Sequence, residues 1–539
     1  MILRIVCRME IEAKLEKPTV VTGTRQINNL LIKMKTPPAV HLPQRQPLVI
    51  GLAIDKSWSM KGDKMEATIE AACSLVNWLT RHDYLTVIAY SADVQVVQPL
   101  IQLKEKSAVI DKIRSIQVAT STNLSGGWLQ TLRAVESAGI PNAYKRVILL
   151  TDGQATLGIK DPVQFIQIAT DHISRGVSTT TIGFGEDFNE TSLRDIAVNG
   201  GGNFYYVSSP EQTSEIFFRE FGDIGALYAQ AVELKLKFAP NVKMLEIYND
   251  YPFQSNDDGS ISIQSGDVRA DDTRNIVMSL EIDAEKPMDA SDLVSIDVSF
   301  YNLFEKMRLD KASRMVPLVK SATETESDKE VVVERLVTSS AKTVIKAGRL
   351  IKENDIGMAR TLLQAAIERV EDNIKLSSDV LSPILQRLKN IEIKLRENAA
   401  TASKHFMAEG TDLYSRMDII DTGGVDVHDR IFEYKVIGDI DLYKCPDIKA
   451  TVQAQMRDGY RFVIFDLSDS KFIDSSAIGA FIQIVGWLRK RGGEFIVTNI
   501  VDSVRKVFTI TRLENHIRVA TSMDEARDIV ESIISATSR

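Results

Sequence analysis

Five oxygen-bearing residues stand where short apolar runs end. Asp55, Ser57 and Ser59 follow the run "LVIGLAI" in the segment "DKSWS", Thr122 lies in "TSTNLSGG", and Asp152 follows "VILLT" in "TDG". Two carboxylates and three hydroxyls make a hard donor set of low charge. That set suits Mg²⁺ or Mn²⁺, which prefer octahedral oxygen coordination and retain some of their waters. Taken singly, each residue is equally at home as a helix N-cap or a turn, where Ser, Thr and Asp side chains accept from free backbone N–H groups. Trp58, between the two serines, is the one residue of the loop that metal binding does not require. Aromatic side chains are enriched at interface hot spots, so Trp58 is a candidate partner contact.

A second segment, "FDLSDSKFIDSSAIGAF" at 465–481, places an acid and two hydroxyls, Asp474, Ser475 and Ser476, at the start of a helical pattern. Free N–H groups and the helix dipole favour negative charge at such a position. A phosphoryl group on Ser475 would therefore be accommodated, and its charge would repel an acidic partner. The plain alternative is that Ser475 is an N-cap.

For the first five donors to converge, the runs before them must lie side by side. Residues 47–212 alternate runs such as "YLTVIAYS", "KRVILLTD" and "VSTTTIGFG" with helical stretches such as "KMEATIEAACSLVNWLTRH". This alternation predicts a parallel sheet covered on both faces, with ligands at the carboxyl ends of its strands. Residues 9–46 and 225–320 read as strands, from "NNLLIKMKTP" and the clean alternation of "AVELKLKFAP". They are expected to pair into one β-sandwich into which the α/β unit is inserted. Residues 327–397 carry a 3.6-residue period and predict a helical hairpin with a third helix. A linker is expected at 398–428, around "DTGGVD", and a second, smaller α/β unit at 429–539. The fold class is a multidomain α/β protein.

Composition narrows the function classes. A chain of 539 residues exceeds a single core. Its net charge of −8 gives no electrostatic case for nucleic acid or anionic membrane. Cys7, Cys73 and Cys445 are too scattered for a disulfide framework or a CxxC zinc site, and read as free thiols in a reducing compartment. No 18-residue apolar span occurs, and the first residues are too short for a signal core, so a cytoplasmic protein is expected. Met9 is an alternative start. The six histidines form neither HxH nor HExxH. "GFGED" reads as a strand end, because Phe188 stands where a dinucleotide loop needs its third glycine.

Together "DKSWS", "TNL" and "TDG" resemble the DxSxS…T…D metal-ion-dependent adhesion site of von Willebrand factor type A (VWA) domains, over residues 45–210. The resemblance implies a Rossmann-like fold. It also implies Mg²⁺ (or Mn²⁺) ligated by the hydroxyls of Ser57, Ser59 and Thr122, with Asp55 and Asp152 completing the shell directly or through water. One coordination position would stay open for a carboxylate of a partner protein. Trp58 departs from the Gly of many relatives. The segment "DSSAIG", with "GDID" at 438–441, resembles the STAS domain of anti-sigma-factor antagonists over 428–538, with Ala477 replacing a Gly. That resemblance implies phosphorylation of Ser475 by a partner serine kinase of anti-sigma type. It further implies a metal-dependent phosphatase as a second partner, and a partner surface including Asp441, Asp474 and Ser476.

The expected function is a non-enzymatic, metal-dependent protein-binding scaffold that switches partners in bacterial phospho-signalling, with oligomerisation left open. The alternatives are an assembly or chaperone-type subunit acting with an ATPase, and a metal-assisted hydrolase. The hydrolase has no obvious general base, since His82 lies at the far end of its helix in sequence.

Overall fold

The computed structural model describes residues 8–37, 46–152, 155–185, 189–207, 216, 220, 227–285, 291–305, 307–397, 406, 410, 428–441, 444–489, 492–511 and 513–537. In the strand Leu227–Phe238 the alternation seen in sequence becomes two faces: Val232, Leu234 and Leu236 are buried while Lys235 and Lys237 face water. This strand is central to a five-stranded antiparallel sheet ordered Phe253–Ser255, Ile261–Arg269, Leu227–Phe238, Asp292–Asn302, Arg308–Pro317. The facing sheet is ordered Glu10–Leu15, Arg25–Lys35, Thr273–Asp283, Val242–Ile247. Arg25–Lys35 pairs with Thr273–Asp283 along its whole length, Arg25 opposite Asp283 and Lys35 opposite Thr273. The first strands of the chain and strands more than 200 residues later therefore share one sheet and one apolar core, which includes Leu30, Ile32, Leu234 and Met278. The α/β unit is interposed between them.

That unit has a six-stranded sheet ordered Val94–Gln102, Tyr84–Tyr90, Leu48–Asp55, Tyr144–Thr151, Val177–Phe184, Gly201–Val207. All neighbours are parallel except Val94–Gln102. Every residue of Leu48–Asp55 is buried, as befits a central strand covered on both faces. The sequence pattern does not reveal Val94–Gln102 as a strand, since Pro99 interrupts it. At an edge, beside a register irregularity at Gln98, the missing N–H is tolerated. Strand order reverses beside Leu48–Asp55: the next strand joins one flank and Tyr144–Thr151 the other. In open α/β sheets such a reversal is where a crevice opens at the carboxyl ends of the strands.

The helices Lys329–Lys352, Ile356–Asn373 and Ser378–Glu397 form their own core around Leu336, Val344, Leu363 and Leu388. The first lies along the sandwich. Glu330, near its start, pairs with Lys14 and Lys33, and Lys342 Nζ donates to Glu246 at 2.8 Å. At its far end Lys352 Nζ donates to Asn189 of the α/β unit at 2.7 Å. The expected linker at 398–428 lies outside the described residues, apart from Phe406, Gly410 and His428. The C-terminal unit is a four-stranded parallel sheet, His428–Lys435, Tyr460–Asp466, Glu494–Thr498, Arg518–Ala520. Its helices are Lys444–Arg457, Ser475–Arg489, Asp502–Thr511 and Met523–Thr537. Phe465, Phe481 and Phe495 meet edge-on or tilted at its centre. Among the described residues no helix is long and apolar enough to cross a membrane.

Candidate metal centre and acidic loop

The carboxyl ends of Leu48–Asp55 and Tyr144–Thr151 are adjacent, which brings Asp55 and Asp152 together although 97 positions separate them. Both are fully buried. Asp55 Oδ1 accepts from the Ser57 N–H at 2.8 Å and Oδ2 from Thr151 Oγ1 at 2.6 Å. Burial pushes the Asp55 carboxyl up to about 6, because an ionised acid loses its hydration there. The chain then turns through a single 3₁₀ turn, Trp58–Met60. Ser57 Oγ lies 3.1 Å from Ser59 Oγ, and Ser59 Oγ donates to Asp152 Oδ1 at 2.7 Å. Trp58 is absent from the left-handed backbone positions, so the glycine of many relatives is not needed here. Its indole is 62% exposed beside the site, with Lys61 Nζ 4.4 Å from the ring centroid.

The loop of Thr122 is tied by its backbone to the other two loops. Asn123 Oδ1 caps helix Leu124–Glu136 by accepting from Gly126 N at 3.0 Å. That helix sits close to the sheet because Gly127 has no side chain; a Cβ there would lie 2.2 Å from the Tyr90 ring. The Thr122 carbonyl accepts from Thr156 N at 2.9 Å and Leu157 N at 3.1 Å, and Ala119 N donates to the Lys56 carbonyl at 2.7 Å. The three loops are thus bound to one another, and Thr122 itself is buried.

The donor set suits a small divalent cation. An octahedral ion with bonds of about 2.1 Å separates neighbouring ligands by about 3 Å. Ser59 Oγ stands at such a separation from Ser57 Oγ and from Asp152 Oδ1. A buried pair of carboxylates also carries more negative charge than one ammonium offsets, which a divalent cation would compensate. Among the described residues no three His, Cys, Asp or Glu cluster closely enough to hold a metal, so a cation here would need the hydroxyls as donors.

Sequence reasoning missed two residues here. Thr151 orients Asp55. Lys64, in the first turn of helix Asp63–Trp78, places Nζ 2.6 Å from Asp152 Oδ2. A signal existed: a lysine in a first turn opposes the helix dipole and calls for a nearby acid.

In the C-terminal unit, "GDID" and "DSS" form one surface. Asp439 Oδ1 accepts from Lys471 N and Phe472 N, both at 3.0 Å, and Ser470 Oγ donates to the Gly438 carbonyl at 2.8 Å. Gly438 has φ +77°, a turn that glycine makes without strain. Asp474 N donates to the Ile440 carbonyl, and Asp474 Oδ1 caps the helix by accepting from Ala477 N at 3.0 Å. Asp441 Oδ1 accepts from Lys444 N at 3.2 Å at the start of the next helix. Ser475 and Ser476 occupy the first turn of Ser475–Arg489, and their side chains lie outside the described residues. Asp474, the residue before the helix, supplies the capping acceptor for Ala477 N.

Fold and sites define a multidomain α/β protein with two modules of the protein-interaction kind. The particular modules are a von Willebrand factor type A domain, matched at residues 50–219, and a STAS domain, matched at 424–526. The chain is 26% identical to the protein YfbK of Escherichia coli over 189 residues, 35% of this chain and 33% of that one. It is 31% identical to inter-alpha-trypsin inhibitor heavy chain H1 of Sus scrofa over 157 residues, 27% and 17% of the two chains. It thus spans a third or less of the length of these two relatives. Among solved structures, a von Willebrand factor type A protein from Catenulispora acidiphila aligns with TM-score 0.59 and 15% identity, covering 76% of this chain and 97% of that one. The ArnB paralog VWA2 from Sulfolobus acidocaldarius gives 0.55 and 17%, covering 75% and 99%. Both are likenesses of fold, and their coverage extends well beyond residues 50–219.

Proposed function

We propose that this protein is a non-enzymatic scaffold that recruits one partner through a divalent metal and exchanges others at its STAS domain. The observation that carries the reading is the open donor set at the sheet's switch point. Ser59 stands at ligand spacing from Ser57 and from Asp152, with exposed Trp58 beside them. Asp55, Ser57, Ser59, Thr122 and Asp152 would hold Mg²⁺ or Mn²⁺. The ion would supply a Lewis-acidic position for a carboxylate of the partner. Asp55 and Asp152 hold charge at the base of the site, the hydroxyls contribute neutral donors, and Trp58 offers a rigid apolar contact at the rim.

At the STAS surface the bond from Ala477 N to Asp474 leaves the start of Ser475–Arg489 already capped. A phosphoryl group on Ser475 would then add nearly two charges to a loop that carries Asp439, Asp441 and Asp474. Acidic partners would be released, and a cationic kinase or phosphatase surface favoured. Joining two modules in one chain raises the effective concentration of one partner for the other.

The test is an affinity capture of the full chain with and without MnCl₂, using wild type, Asp152→Ala, Ser475→Ala and Ser475→Asp. One partner set should depend on both metal and Asp152. A second should differ between the two Ser475 variants. Equal partner sets and affinities for Ser475→Ala and Ser475→Asp would remove the switch, and metal-independent capture would remove the metal-mediated contact.

A further inference from the structure

We propose that Lys64 is a tethered counter-cation of the metal centre, and that a divalent ion binds by exchange with its ammonium group. The inference rests on the metal-site reading above and goes beyond it by assigning a residue that sets the affinity.

Asp152 is fully buried, and Lys64 Nζ lies 2.6 Å from its Oδ2 while Ser59 Oγ occupies Oδ1. Lys64 Nζ also stands 3.5 Å from the Ser59 carbonyl oxygen, at the mouth of the same loop. The structure makes room for the lysine. A Cβ at Gly185, the residue that follows strand Val177–Phe184, would lie 3.0 Å from Lys64 Cε and from Nζ. The dipole of its helix opposes a cation at this end. Lys64 is in the first turn, the N-cap is Gly62, and no side chain caps the free N–H groups. Asp63 and Glu66 share that turn, yet the ion pair the ammonium makes is with buried Asp152. One positive charge against Asp55 and Asp152 leaves the pair undercompensated, and a divalent ion compensates it better. A divalent ion and an ammonium on one carboxylate repel each other. The lysine side chain is 30% exposed, so its head can swing into water when the ion enters. Lysine at this position would keep the metal-free site intact and lower its affinity for metal.

The test is MnCl₂ titration of the full chain by calorimetry, together with thermal melts in EDTA and in saturating MnCl₂. Wild type, Lys64→Met, Lys64→Arg and Asp152→Ala are compared. Lys64→Met should bind Mn²⁺ about tenfold more tightly, about 1.4 kcal/mol. It should also melt below wild type in EDTA and level with it in saturating Mn²⁺. Lys64→Arg, which keeps a cation, should stay within threefold of wild type. Should Lys64→Met give no cooperative melt, Lys64→Gln carries the same expectations. If Lys64→Met binds within twofold of wild type or more weakly, while Asp152→Ala abolishes binding, the exchange falls and the metal site stands. If neither wild type nor Lys64→Met binds Mn²⁺, both fall.

Discussion

At the carboxyl edge of the six-stranded sheet two buried carboxylates, Asp55 and Asp152, stand together with one lysine, which pairs with Asp152; nearer the amino ends two others, Glu220 and Asp267, share one arginine. The charges are equal and their surroundings are not. Arg146 is buried and contacts both acids. Glu220 also accepts from Thr180 Oγ1 at 2.5 Å, Asn203 Nδ2 at 2.8 Å and Tyr205 OH at 3.1 Å. Asp267, which comes from the sandwich, accepts from Tyr144 OH and Ser178 Oγ, both at 2.7 Å, and from Ala231 N at 3.1 Å. The two acids of that cluster are surrounded by neutral donors, although Arg146 Nε is left without a partner among the described residues, and the cluster joins the α/β unit to the sandwich. The carboxyl edge has fewer donors among the described residues, a lysine that reaches water, and hydroxyls facing one another. A buried charge with all its lone pairs satisfied is architecture, whereas one left short of partners is a place for a ligand.

The comparison breaks most visibly at Arg146. Arg146→Met leaves Glu220 and Asp267 buried without a cation and should cost about 3–5 kcal/mol in urea unfolding. A loss below about 1 kcal/mol would mean that the hydroxyls and amides suffice, and the two ends would differ less than they look. At the other end the sign should invert. The Asp55 carboxyl, held up at about 6 by burial, is ionised at pH 7 against the preference of its site. Asp55→Asn should therefore stabilise the EDTA-treated protein by up to about 3 kcal/mol and abolish stabilisation by Mn²⁺. Destabilisation in EDTA would place Asp55 with the architectural acids.

Away from the sheet, Glu330 offers a half-exposed control. Hydrogen bonds from Lys14 and Lys33 lower its carboxyl to about 2 from an ordinary 4.5. A lowered acid contributes stability that is complete above pH 4.5 and lost as pH falls through about 2. The difference in melting temperature between wild type and Glu330→Gln should be constant near neutrality and shrink below pH 4.5. It should be small, since solvent screens the pair. A difference that persists at pH 2 would assign it to packing. The smallest effect is expected at Trp58. Trp58→Gly should change stability by no more than about 0.5 kcal/mol and leave Mn²⁺ affinity unaltered, because the indole is exposed and lies outside the donor set. Loss of metal affinity would make Trp58 a structural part of the loop rather than a partner contact.

Much of this was open to reading from the chain alone. Apolar runs ending in Asp55 and Asp152 announce buried parallel strands with polar ends, because a strand covered on both faces has a two-faced apolar composition. The alternation of Leu227–Phe238 announces a half-exposed strand for the complementary reason. The oxygen chemistry of "DKSWS" and the capping chemistry of "DSS" are local, so residue types suffice to name them. Tertiary structure alone decided which charges face which. Thr151 bonds to Asp55 because strands distant in sequence end side by side. Lys64 reaches Asp152 across 88 positions because helix and strand pack, and Gly185 leaves it room. Arg146 meets Asp267 because the sandwich closes on the sheet. Residue identity specifies what a group can bond to; only the folded chain specifies which of its alternatives is within about 3 Å, and at that distance Coulomb and hydrogen-bond energies decide.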